Sequence, residues 1–159
     1  MNLLSCLNPE RTLVCAQVTS KKRAFEILSE TLSSSCQSLS EQQVLDSLFS
    51  RERLGCTALG NGIAIPHGRC GGCEQAVCAV LMLEEGVDYD APDKQPVDIL
   101  FAVLVPEQAH DEHLSALSNI ATLLKSESFC RQLRNAYNNQ ALYDIVSAGL
   151  KKSETDTSS

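Results

Sequence analysis

His67 stands between Pro66 and Gly68, just after the stretch Leu59-Gly60-Asn61-Gly62-Ile63-Ala64-Ile65. An imidazole near its neutral state is a nucleophile, a proton carrier and a metal ligand, and its surroundings decide which. Gly60 and Gly62 reach backbone angles that other residues avoid, so the amides of this turn are able to close around an anion. Ile63 and Ile65 alternate with Ala64 as in a buried strand. Pro66 keeps Ile65 extended and has no N–H for a sheet, so the strand is expected to stop there. His67 is then delivered at a strand's carboxyl end, where open α/β sheets put their chemistry. A histidine in a turn is by itself an ordinary loop residue more often than a functional one, and its weight comes from its neighbours.

The elements that must position it are legible as patterns. Leu13 to Val18 is a short apolar, strand-like run, and Thr19-Ser20 offers capping oxygens to a helix carrying Phe25, Leu28 and Leu32. Ser40-Glu41-Gln42-Gln43 fits a capping box ahead of Val44, Leu45, Leu48 and Phe49. That helix is expected to end near Arg51. Residues 76–83 and 97–105 are nearly continuous apolar runs, as central strands covered on both faces require. Between them Gly86, Pro92 and Pro96 predict an exposed, turn-rich segment. Residues 107–125 carry a helical pattern with His113, Leu117, Ile120, Ala121 and Leu124 on one side. Two shorter helices are expected at 129–137 and 140–148. The interleaving predicts a single α/β domain over residues 1–150, with a mixed central sheet and helices on both faces. Residues 151–159 are polar and read as a disordered tail.

Composition narrows the function. In 159 residues, 13 Lys and Arg stand against 20 Asp and Glu, a net charge of −7. This argues against a nucleic-acid surface, which needs clustered cations. No apolar run reaches membrane-spanning length and no secretory signal pattern opens the chain, so membrane insertion is not expected and a cytoplasmic location is. The eight cysteines then read as reduced thiols, with Cys15, Cys78 and Cys130 as small core residues.

The stretch from Arg51-Glu52-Arg53-Leu54-Gly55-Cys56-Thr57 through Pro66-His67-Gly68 closely resembles the active-site signature of the mannitol/fructose-type EIIA family of the bacterial sugar phosphotransferase system. The resemblance runs over roughly residues 3–148. Ser20-Lys21-Lys22-Arg23-Ala24-Phe25-Glu26 and Phe129-Cys130-Arg131-Gln132-Leu133-Arg134 are most similar to its nitrogen-regulatory branch. The resemblance implies a cytoplasmic phosphocarrier in which His67 takes a phosphoryl group, on Nε2, from an HPr-like phosphoprotein. It implies regulation of partner proteins by phosphorylation state, with targets of the kind found in potassium transport or sensing. No metal, nucleotide or organic cofactor is expected, since the donor is itself a phosphoprotein. Arg51 matches the family's arginine near the phosphoryl site, and His113 falls at its second active-site histidine.

The chemistry of such a transfer sets further expectations. Neutral imidazole attacks readily, and its other nitrogen must donate to a fixed acceptor that sets the tautomer. The arriving group carries about two negative charges, and catalysis is mainly positioning and charge stabilisation. Backbone amides of Asn61, Gly62 and Gly68 are expected to cradle the phosphoryl oxygens, with the Thr57 hydroxyl as a further donor and the Arg51 guanidinium as a clamp. Arg69 is supportive. His113 would donate to the phosphoryl group or orient the nucleophile if the strands preceding it and His67 are parallel. His110 reads as a solvated surface residue.

Other readings remain open at this point. A sugar-transport EIIA would pass the group from His67 to an EIIB domain. His67, Cys70, Cys73 and Cys78 lie within twelve residues and offer zinc-like ligands, although Cys78 falls in a predicted strand. A site from His67, His110 and His113 is weaker still. Cys70-Gly71-Gly72-Cys73 is a possible redox pair, more simply an incidental exposed one.

Overall fold

The computed structural model describes residues 3–15, 17–35, 37–108 and 111–157, the side chains of 111–114 and 153–157 excepted. Two 3-10 turns (Leu3–Cys6 and Pro9–Arg11) lead into β1 (Thr12–Cys15), α1 (Lys21–Ser33) and α2 (Glu41–Leu54). Three short strands follow: β2 (Ala58–Gly60), β3 (Ile63–Ala64) and β4 (His67–Cys70). The long strands β5 (Val77–Val87) and β6 (Val97–Pro106) precede α3 (Asp111–Leu124), α4 (Glu127–Arg134) and α5 (Asn139–Thr157).

The sheet is mixed, in the order β1-β5-β6-β3-β2, with β4 also paired to β6 beyond the end of β3. β1 runs parallel to β5, β3 and β4 run parallel to β6, and β5 and β6 are antiparallel. One face carries Ile63, Ile65, Cys78, Phe101, Val103 and Val105 against Ile120, Leu124, Phe129, Leu142 and Val146 of the C-terminal helices. The other carries Ala64, Leu81, Leu100, Ala102 and Leu104 against Phe25, Leu28, Val44 and Leu48 of α1 and α2. Helices therefore cover both faces, as the continuous apolar runs require. Burying a Leu or Ile side chain in such layers contributes about 1.5–3 kcal/mol each.

The expected caps are present. The Ser20 side chain accepts from the Arg23 amide at 3.0 Å. Ser40 and Gln43 close the capping box from both sides, at 3.1 Å and 2.9 Å. Three boundaries differ from the pattern reading. The segment after residue 83 is an exposed turn only in its second half, residues 92–96: β5 continues to Val87, and Val87, Tyr89 and Ala91 are buried. The prolines mark its bends, while its alternate residues still face the core. The helix expected to end near Ala148 runs to Thr157, since no proline interrupts it and Leu150 is buried against the core. Residues expected to form the front of the disordered tail are thus helical. Finally, the chain does not leave the sheet at Pro66. After Ile65 and Pro66 it re-enters as β4 in the same register against β6, with the Pro66 carbonyl accepting from the Val103 amide at 3.0 Å.

Candidate functional site

His67 is therefore not a loop residue after a strand. It opens β4 and registers with Val103, part way along β6. The Thr57 amide, opposite Ile65, donates to Glu52 Oε1, which leaves the Ile65 carbonyl to the His67 ring. That carbonyl lies 2.9 Å from Nδ1 of His67. A carbonyl can only accept, so Nδ1 carries the proton and Nε2 keeps its lone pair. The Ile65 amide in turn donates to the Thr57 carbonyl at 3.0 Å, tying this corner to the loop after α2.

The half-buried ring has its pKa held below the ordinary histidine value. Burial is the main cause. The Ile65 carbonyl opposes it, the Arg51 charge adds to the lowering, and the Glu52 charge acts the other way. The balance favours neutral imidazole, the form with a nucleophilic lone pair.

Arg51 and Glu52 come from the last turn of α2 and take opposite directions. Arg51 donates through Nη1 to the Gly55 carbonyl at 2.9 Å, closing the helix end while holding a cation near His67. The Glu52 side chain is only 6% exposed and anchors a polar cluster. It accepts from the Thr57 hydroxyl at 2.6 Å, the Thr57 amide at 3.1 Å and the Lys21 ammonium at 2.9 Å. Burial pushes its carboxyl up, but these hydrogen bonds outweigh it and hold the pKa below the ordinary value. The Tyr89 hydroxyl lies 2.7 Å from Thr57 Oγ1. The single Thr57 proton goes to the carboxylate, so Tyr89 is the donor in that second contact. Burial drives the Tyr89 pKa up, which keeps the phenol protonated.

The structure thus brings Arg51, Thr57 and His67 into one neighbourhood, but gives Thr57 a different task. Its proton is committed to Glu52, so it braces the loop instead of facing a ligand. Glu52, Lys21 and Tyr89 were missed as site residues. Glu52 lies inside the signature stretch, and a carboxylate next to a helix-end arginine was the signal available. Tyr89 lay in a segment read as exposed.

Asn61 and Gly62 do not join the site. Gly62 sits where the β2–β3 turn meets Asp98 and Ile99, whose amides donate to its carbonyl at 2.9 and 3.1 Å. His67 registers four to five residues further along β6, about 13–16 Å away at the usual strand rise. The amide of Asn61 is taken by Asp93 Oδ2 at 2.9 Å, and its carbonyl by Arg134 Nη2 at 2.7 Å. Arg134 also grips Asp98 through two hydrogen bonds, at 2.9 and 3.0 Å. The positive φ angles of Gly60, Asn61 and Gly62 (95°, 58° and 83°) serve a tight hairpin pinned by Arg134, and the expected anion cradle is not formed there. Gly68 does adjoin His67, but its missing side chain answers to packing. A Cβ there would collide with Ser47 Oγ and stand 3.0 Å from the Ser47 backbone of α2.

Arg69 is exposed and reaches the Glu107 carbonyl at 3.3 Å. His113 falls in the first turn of α3, and its side chain lies outside the described residues, as does His110 altogether. Cys70 and Cys73 are buried, not exposed, and the Cys73 thiol donates to the Gln75 carbonyl at 2.6 Å. Among the described residues no group of three or more His, Cys, Asp or Glu side chains is placed to hold a metal ion. No helix among them is long and apolar enough to cross a membrane.

The mixed sheet with helices on both faces agrees with what known proteins show. The chain belongs to the family described as phosphoenolpyruvate-dependent sugar phosphotransferase system, EIIA 2, which it matches over residues 5–149. It is 43% identical over 146 residues to a nitrogen regulatory protein of Pseudomonas aeruginosa, covering 92% of this chain and 95% of that protein. It is 44% identical over 147 residues to a nitrogen regulatory protein of Escherichia coli K12, covering 92% and 90%. The crystal structure of nitrogen regulatory protein IIA-Ntr from Neisseria meningitidis superposes with a TM-score of 0.83 at 39% identity, covering 91% of this chain and 98% of the other.

Proposed function

We propose that this phosphotransferase-system component is a cytoplasmic regulatory phosphocarrier of the nitrogen-related branch, with His67 Nε2 as the phosphoryl acceptor. The single observation that carries the reading is the 2.9 Å contact of Nδ1 with the Ile65 carbonyl, which leaves Nε2 as the nucleophile. The donor is an HPr-like phosphoprotein. The Nε2 lone pair attacks phosphorus in line, and the new N–P bond forms as the bond to the donor breaks. The ring gains positive character in this step, and the Ile65 carbonyl accepting from Nδ1–H stabilises it. Arg51 offsets the negative charge of the arriving group. His113, on the helix that follows β6, is assigned to orienting the phosphoryl group.

Regulation is favoured over sugar transfer because the relatives at 43–44% identity, matched over nearly their whole length, are named nitrogen regulatory proteins. Phosphorylation adds a compact dianion at a half-buried position, a change that a partner surface can read. Intact-mass spectrometry after incubation with a phosphorylated HPr-like donor tests the acceptor. Wild-type protein gains one phosphoryl group and His67→Ala gains none; full labelling of His67→Ala would sink the assignment. Affinity capture with the phosphorylated and unphosphorylated forms tests the output. Partners indifferent to the modification would count against a switch.

A further inference from the structure

The face of the sheet that carries His67 also holds two thiols with no part in phosphoryl chemistry. Cys6 lies on the 3-10 turn Leu3–Cys6 and Cys78 on β5, 3% and 1% exposed. Their side chains are hydrogen-bonded to one another, and neither is in a disulfide. A second contact holds the two segments together independently. The buried Arg11 guanidinium donates through Nε to the Cys78 carbonyl at 3.0 Å and through Nη2 to the Cys6 carbonyl at 2.9 Å. One planar cation thus clamps both backbones, with the thiol pair beside it. Cys78 registers with Val103, and Val103 registers with His67 on its other side. Cys78 and His67 therefore share a rung of the sheet, about 10 Å apart across two strand spacings.

We propose that Cys6 and Cys78 form a dithiol site that hydroperoxides oxidise reversibly to a disulfide. Buried thiols are usually inert, and three features set this pair apart. The Cys78 S–H is hydrogen-bonded to Cys6, which lowers the Cys6 pKa against the effect of burial, and the Arg11 charge acts in the same direction. The same contact, with burial, drives Cys78 up, so Cys6 is the more acidic of the two thiols and Cys78 the reserve. Cys6 also stands on a four-residue 3-10 turn, which opens locally at far lower cost than a central strand and admits a small oxidant.

The reaction balances in two steps. The Cys6 thiolate attacks one peroxide oxygen; an S–O bond forms, the O–O bond breaks, and the departing hydroxide takes a proton. The Cys78 sulfur then attacks the resulting sulfenic sulfur; the S–S bond forms and the S–O bond breaks, releasing water. Two thiols lose two electrons and two protons, and the peroxide is reduced to water. Dithiothreitol reverses the change by exchange.

Cleavage after glutamate isolates the two residues, because peptide 1–10 contains Cys6 alone and peptide 75–84 contains Cys78 alone. The folded protein is treated with hydrogen peroxide, its remaining thiols are alkylated in denaturant, and the unreduced digest is examined by mass spectrometry. A 1–10/75–84 linked species that disappears with dithiothreitol is expected. Recovery of both peptides alkylated, at peroxide exposures that oxidise other cysteines, would overturn the proposal. In Cys78→Ala the link is lost and a dimedone adduct of the Cys6 sulfenic acid accumulates instead; a fully alkylated Cys6 there contradicts the assignment of the nucleophile. Cys70→Ser retains the link, and its loss in that variant would show that the oxidation starts elsewhere.

Discussion

The Nδ1 atom of His67 lies 2.9 Å from the carbonyl oxygen of Ile65, only two residues earlier in the chain. A strand residue does not ordinarily reach the carbonyl two positions behind it. Here the Thr57 amide opposite Ile65 is held by Glu52, and the Ile65 carbonyl is left to the ring. One contact fixes the tautomer, aims Nε2, and supplies a partner for Nδ1–H when the ring becomes cationic.

Acceptance should persist at more acidic pH than for a solvent-exposed histidine. The folded-state pKa of His67 lies below the ordinary 6.5, so its lone pair survives as pH falls through that value and is lost only further down. Initial rates against pH, with the donor titrated separately, are expected to bend below 6.5. The same depression means that the unfolded chain binds the proton first. The stability this group contributes is present above the unfolded value and is lost as pH falls through the folded one. His67→Ala should remove that slope from the urea midpoint.

Glu52→Ala should cost about 2 kcal/mol or more, since it strands the Thr57 hydroxyl and amide and the Lys21 ammonium; the partial exposure of Lys21 tempers the loss. Tyr89→Phe removes one hydrogen bond to Thr57 and should cost about 1 kcal/mol. Chemical denaturation measures both. Equal, negligible effects would mean that the cluster does not brace the loop after α2.

Gly62→Ala separates a structural turn from an anion cradle. Its φ of 83° and a Cβ only 2.9 Å from Arg134 Nη2 predict a loss of about 1–3 kcal/mol. Phosphoryl acceptance per folded molecule should be unchanged. Arg51→Ala should show the reverse, with a slower transfer and a smaller change in stability.

Gly68→Ala tests the approach of α2 to β4. The added methyl meets Ser47 Oγ and the Ser47 backbone, and overpacking of this kind costs about 1–3 kcal/mol. Pairing it with Ser47→Gly should relieve only the side-chain part of the clash, because the backbone contact at 3.0 Å remains. Full recovery of the thermal midpoint would contradict this packing.

Much of the architecture was legible because it rests on local patterns. The runs at 76–83 and 97–105 are apolar enough to identify strands buried on both faces, and the Ser40/Gln43 box announces α2. The Pro66-His67-Gly68 context was equally readable. The Gly60-Asn61-Gly62 turn misled, because glycines that permit an anion nest also permit a pinned hairpin. Only the long-range partners Asp93, Asp98 and Arg134 distinguish the two. Tyr89 and Val87 were hidden by prolines that mark bends without preventing burial. The tail was read from polarity alone, which does not report that Leu150 is anchored or that the helix has no stop. Glu52 was in view throughout, but its role depends on Lys21 and Tyr89, which sequence distance conceals.

In the proposed mechanism Ile65 holds the proton on Nδ1 and so directs the phosphoryl group to Nε2. Heteronuclear NMR of the phosphorylated protein, with isotope-labelled histidine nitrogens, measures this directly. Phosphorus is expected on Nε2 of His67, with Nδ1 still protonated. Phosphorus on Nδ1, or on any residue other than His67, would contradict it.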